Sequence, residues 1–307
     1  MLYFEILPLY PDLPLYPLPL QRDFTVFNKI EKILLGTIDH INSEKLDQIP
    51  ALLKSISSES KFQDAICFRM FLRFLDMLEN SEDGITVIAM SALVSIRPSV
   101  AHYEDSTNMY LLHYLANSSH FSFFLTRAFE PEFESYHQNP FEQLLNEVLV
   151  VNRSAAYRKN LDGECPVHIH IRNALTGSNF LSILLQYSPS CAAIESTISK
   201  QRLPIQMLLS NHTNLSLPID SVIIDTARLL SAAYPAACFL LVTDTIVRLE
   251  LNSSSPRSPP TTTTWSAYSF VKDCPQLKAF MMNSLVSEAL GRANGSCDKA
   301  TAALARD

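Results

Sequence analysis

Apolar residues recur at three- and four-residue steps over most of this chain, the period of a helix with one buried face. Phe27, Ile30, Leu34, Ile38 and Ile41 form the first stripe, and Leu46, Ile49, Leu53 and Ile56 the second. Pro50 falls within the second stripe and is expected to leave that helix short or kinked, because proline removes a donor and crowds the preceding turn. Ser60 and Gln63 have capping-box spacing ahead of a long helix to about Glu79, with Ile66, Phe71, Leu75 and Leu78 on its face. A helix from about Thr86 to Ile96 follows the Asp83-Gly84 turn. Asn139, Pro140 and Glu142 mark another start: Asn caps, Pro takes the first position and the acid lies in the first turn. The helical period resumes from Gln276 to Leu290. No run of alternating strand patterns occurs, so the expected fold class is all-α.

The ends and one internal segment read differently. Pro8, Pro11, Pro14 and Pro17 lie three residues apart, on one edge of a polyproline II helix. A ligand for an SH3- or WW-like domain has that form, but no Lys or Arg flanks the P-x-x-P core, and a plain N-terminal arm is expected. Residues 253–264 are a Ser/Thr/Pro segment unable to bury a core, expected to be a linker or exposed loop.

Between these lies a repeating pattern. Leu93–Ala101, Leu149–Ala156, Leu184–Ala193 and Leu229–Ala237 each end an apolar helix and break at Pro98, Arg153, Pro189 or Pro235. A proline just past a helix end is a natural stop. Helix starts follow the first three breaks at Tyr110–His113, Cys165–His168 and Leu203–Gln206, with Pro166 and Pro204 at the first helical position of two. Turns precede two of the starts, at Asp105-x-x-Asn108 and Asn160-x-x-Gly163, where Asn or Gly tolerates the left-handed conformation of a tight turn.

This arrangement resembles the ankyrin repeat, whose D-x-x-G-x-T-P-L-H start is echoed best by residues 160–168. The resemblance implies that Pro166 opens a helix and that His113 and His168 bond within the turn and tie neighbouring repeats. Gly163, Pro189, Pro204 and Pro235 complete the structural positions. Cys165, Tyr110 and Leu203 stand where the family has Thr, Gln206 stands for His, and the breaks are 55, 36 and 46 residues apart against a family period of about 33. Insertions are accordingly expected near 127–140 and 212–221. The resemblance covers about 85–252. The architecture it implies is a helical repeat, an ankyrin-like α-solenoid with additional N-terminal helices. Its divisions are an arm (1–22), N-terminal helices (23–80), repeats (81–252), the linker (253–264), and a C-terminal helix and tail (265–307).

Composition narrows the chemistry. A net charge of −7 and scattered Lys and Arg argue against nucleic acid as a partner. Six glycines supply no phosphate-binding loop, and no G-x-S-x-G elbow is present. The six cysteines are scattered without a C-x-x-C pair, as expected of reduced thiols in a cytoplasmic or nuclear protein. Leu229 to Thr243 is uncharged but, at about 15 residues, short of a bilayer span. Cys165, His168 and His170 have metal-like composition, but residues 168 and 170 fall about 200° apart on a helix and no second ligand pair accompanies them. No metal, cofactor or catalytic residue is therefore assigned. Phe121, Phe123, Phe124, Phe129 and Phe133 form a cluster read first as core and alternatively as an exposed anchor for a partner. The expectation is a monomeric, non-catalytic scaffold that binds an unidentified protein. Its alternatives are an enzyme or small-molecule-binding module in the N-terminal helices, or a decayed repeat protein.

Overall fold

The computed structural model describes residues 21–36, 43–56, 58–80, 85–119, 121, 139–173, 178–197, 202–215, 221–246, 261–271 and 275–292. They are mostly helical. Two compact units divide the chain, Met1–Cys191 and Ala192–Asp307, so the division falls inside the span assigned to repeats.

In the first unit α1 (Gln21–Gly36), α2 (Ser43–Leu46) and α3 (Gln48–Ile56) precede a long helix, α4 (Ser60–Asn80). Ile30, Leu34, Ile49 and Leu53 are buried as their spacing requires, whereas Ile38 and Ile41 lie outside the described residues. Pro50 sits in the first turn of α3, where its missing N–H has no intrahelical partner to lose; this is why the stripe breaks into two helices. The capping box at Ser60 does not form. Gln63 N–H bonds the Glu59 carbonyl, placing the cap one residue earlier, and the Gln63 side chain donates to the Leu53 carbonyl at 3.2 Å. The Ser60 hydroxyl instead accepts from Arg97 at 2.8 Å. Helix α4 is buried nearly all round (Phe68, Met70, Phe71, Leu72, Phe74, Leu75, Leu78), the signature of a central helix, and it packs on α1, α3 and α5 (Ile85–Ile96).

A recurring unit follows. Helix α5, a 3₁₀ turn (Pro98–His102), a loop and α6 (Leu111–Asn117) are matched by α7 (Pro140–Val151), a 3₁₀ turn (Arg153–Tyr157), a loop and α8 (Pro166–Arg172), each element displaced by 55 residues. Asn139 caps α7, accepting from Phe141 N–H at 3.0 Å, with Pro140 next. Helices α5 and α7 pack together, as do α6 and α8. Helix α9 (Ser178–Tyr187) then leads to the turn Pro189–Ala193.

The second unit holds α10 (Pro204–Leu215), α11 (Ser221–Ala233), the 3₁₀ turn Pro235–Cys238, α12 (Ala267–Phe270) and α13 (Pro275–Arg292). Helix α11 packs on both α10 and α13. Residues 212–215, in the span expected to hold an insertion, form the last turn of α10, and 216–220 lie outside the described residues. It also holds an antiparallel ribbon, β1 (Val242–Ile246) with β2 (Thr261–Trp265), in register from Val242 opposite Trp265 to Ile246 opposite Thr261. The ribbon corrects two expectations: the chain is mostly rather than wholly helical, and residues 261–264 are strand rather than linker. Threonine is β-branched and favours extended pairing once a partner strand is supplied.

Candidate interaction surface

All four breaks use one device. The residues before them, Arg97, Asn152, Ser188 and Tyr234, each close their helix by donating to the carbonyl four residues back: Leu93, Val148, Leu184 and Leu230, at 2.9–3.0 Å. Their own carbonyls accept from Val100, Ala155, Cys191 and Ala237 at 3.0–3.2 Å, which sets the 3₁₀ turn. Arg97, Asn152 and Tyr234 share one backbone conformation, with φ of −132°, −133° and −145° and ψ of 74°, 70° and 81°. Pro98, Pro189 and Pro235 open three of the turns, where a fixed φ and a missing donor suit the first position.

The loops that follow are also built alike. Asp105 N–H bonds the Met109 carbonyl at 3.2 Å and Asn160 N–H bonds the Glu164 carbonyl at 3.0 Å. Asn108 (φ 58°) and Gly163 (φ 75°) take the left-handed position of each turn. The Asp105 carboxylate is fully engaged: Thr107 N–H, the Thr107 hydroxyl and Met109 N–H donate to Oδ1 at 2.8, 2.7 and 2.9 Å, and the Tyr114 hydroxyl donates to Oδ2 at 2.5 Å. Asn160 Oδ1 does the corresponding work for Glu164 N–H at 2.9 Å.

Three helix starts share a third device. Tyr110 N–H donates to His113 Nδ1 at 3.2 Å, Cys165 N–H to His168 Nδ1 at 3.1 Å, and Leu203 N–H to Gln206 Oε1 at 3.0 Å. A side chain three residues into the helix thus satisfies a donor the helix itself cannot. With Nδ1 accepting, His113 carries its proton on Nε2 and donates it to the Arg158 carbonyl at 3.0 Å. Gln206 spans the same way, its Nε2 donating to the Leu240 carbonyl at 3.3 Å. Burial drives the His113 pKa down to about 4, against weaker opposing effects of the Arg158 carbonyl and Asp105. A neutral ring is the form both bonds require.

Within the first unit these devices join the two copies. His113 reaches Arg158, Leu161 N–H donates to the Thr107 carbonyl at 2.9 Å, and Asn173 Nδ2 donates to Asn117 Oδ1 at 2.8 Å. Asn152, which the sequence reading did not single out, adds a fourth tie. Its Nδ2 donates to the Ala101 carbonyl at 2.7 Å while its Oδ1 accepts from Ala155 N–H at 3.2 Å. The signal that could have found it is its place directly before the second break. The Leu161–Thr107 bond sets two loop tips side by side, and their exposed residues are Glu104 and Ser106 on one and Lys159, Leu161 and Asp162 on the other. Leu161 is 66% exposed, the one apolar side chain among these exposed residues.

Phe121 is fully buried, its ring 5.6 Å from that of Phe141, so it is core and not an exposed anchor; Phe123, Phe124, Phe129 and Phe133 lie outside the described residues. His170 stacks on Phe180 at 4.8 Å, and His168 is turned to its own helix cap. Among the described residues no group of three or more His, Cys, Asp or Glu could hold a metal ion. Cys67, Cys165, Cys191 and Cys238 are free and buried, and burial raises their thiols to about 12, 12, 12 and 11, leaving no thiolate for nucleophilic work at neutral pH. The Glu164 carboxylate is buried against Arg172, and burial raises its pKa, the guanidinium opposing only in part. No described helix is long and apolar enough to cross a membrane. Comparison with protein-family models, curated proteins and solved structures finds no significant match to the chain.

Proposed function

We propose that this chain is a non-catalytic protein-binding module of ankyrin-repeat type. One observation carries the reading: three helix starts, at Tyr110, Cys165 and Leu203, are each closed by the side chain three residues on, and His113 then bonds across to the next copy. That is the role the family resemblance assigns to this position. The matched loops and the Leu161–Thr107 bond support it further, because each copy presents a loop tip beside its neighbour's. Loop tips carried on a rigid helical frame are where recognition residues concentrate. The Asp105 carboxylate and the His113 ring are spent on the frame itself, and that favours recognition over chemistry at these positions.

The contact residues proposed are Ser106, Leu161 and Asp162. The test is affinity capture from the native cell with the full chain and its Ser106→Arg/Leu161→Arg variant. Loss of a partner from the double variant, at unchanged urea midpoint, is the expected result. An unchanged partner set would remove the loop tips as the binding face.

A further inference from the structure

A second surface lies on the N-terminal helices, away from the matched loops in sequence and in chemistry. Helices α1 and α3 pack together and leave an open groove of about 850 Å³ between them. Its apolar lining is Ile33 and Gly36 from α1 and Ala51 and Leu52 from α3. Lys29 and Lys32 of α1 and Lys45 of α2 also line it. None of these three lysines forms an ion pair among the described residues, while the neighbouring Glu31 is taken by Arg73 at 3.0 Å. Three unpaired cations round an apolar floor stand out in a chain whose net charge is −7.

We infer that this groove is the docking site for an acidic amphipathic helix of a partner protein. The lining positions of α1 run from Lys29 to Gly36, about two helical turns or roughly 10 Å, enough for apolar anchors one and two turns apart on an incoming helix. Gly36 marks an open end, since a Cβ placed there meets nothing within 4 Å. Ala51 is exposed as well, so the groove is a trough along helix walls rather than the closed tunnel an acyl chain would need. The lysine stems extend the apolar floor while their ammonium groups stay in water, ready for Asp or Glu at the edges of the incoming face. A basic helix would be repelled locally, so the charges select the partner as well as attract it.

The probe is a fluorescent 18-residue peptide with leucines at one helical face and glutamates beside them, read by anisotropy against the full chain. Its twin has lysine at every glutamate. Saturable binding of the acidic peptide, weakening with salt, and no binding of the basic twin are expected. The K29E/K32E/K45E variant should lose at least about tenfold in affinity, the scale of three rim ion pairs removed and opposed. All three lysines are exposed, so circular dichroism should be unchanged. Ala51→Trp, which fills the trough without altering charge, should weaken binding too. Equal binding of both peptides, or affinity indifferent to the lysine triple, would overturn the inference. So would retention on phosphatidylserine vesicles that the triple abolishes while the peptide fails to bind; the same lysines would then serve a lipid surface.

Discussion

His113 accepts on one ring nitrogen and donates from the other, an arrangement open only to the neutral ring. Its folded pKa of about 4 lies below the ordinary 6.5, so between these values the unfolded chain binds more protons than the folded one. The stabilisation is complete above pH 6.5 and is lost as pH falls towards 4, by up to about 3 kcal/mol. His113→Gln should remove this acid sensitivity while keeping both bonds, because Gln206 already makes the equivalent pair without a titrating proton. His113→Ala should cost about 1–3 kcal/mol at pH 7, since the Tyr110 N–H and Arg158 carbonyl lose their partner. Urea midpoints at pH 7 and pH 5 separate the three proteins. Gly163 makes a backbone counterpart to this side-chain test. At φ 75°, Gly163→Ala should cost about 1–2 kcal/mol, whereas Gly163→Asn should be tolerated far better, as Asn108 holds the matching position. Both turn positions were legible in the sequence because the requirement is local: few residues accept that conformation. Gln206 was legible as the residue standing at the His position but only as a departure; its equivalent bonding was not, since glutamine and histidine share no chemistry beyond an acceptor three residues into the helix and a donor at its far edge.

Helix starts marked by Asn139, Pro166 and Pro204, and stops marked by proline, lie where the sequence puts them, since cap and breaker act within one turn. Where a distant group competes, the local rule fails. Ser60 and Gln63 have capping spacing, but Arg97 holds the Ser60 hydroxyl and the Leu53 carbonyl takes the Gln63 amide. The ribbon fails for a different reason. Thr261 to Thr264 do not alternate, and their partners lie 15 to 21 residues away, so neither period nor proximity announces a strand. Asn152 shows how much one element junction can depend on a polar side chain invisible to hydrophobic periodicity. Asn152→Ala removes both the cap on Ala155 N–H and the tie to Ala101, and should lower stability by about 2 kcal/mol. Thermal unfolding measures it; a shift no larger than that of an exposed alanine substitution such as Lys54→Ala would show the tie to be idle.

At the scale of the molecule, the rhythm of apolar helix and break runs past Cys191 without a mark, yet the chain divides there. Packing across the chain, rather than the spacing of breaks, decides where one compact unit ends, and a one-dimensional pattern does not carry that information. Because the described core of the first unit, from α1 to α9, lies within residues 1–191, that segment should unfold cooperatively when expressed alone. Circular dichroism in urea checks this, and a broad, non-cooperative loss of helix would show that the second unit is needed to complete the core.

Arg97, Asn152 and Tyr234 hold nearly the same pair of torsion angles while sharing no side-chain chemistry. The backbone address is common, while Arg97 and Asn152 each put the side chain mounted on it to separate use. A spin label or fluorophore attached at the half-buried Tyr234 would ride on that shared backbone geometry and serve as a resident gauge of the second unit alone, its signal loosening when the turn Pro235–Cys238 gives way.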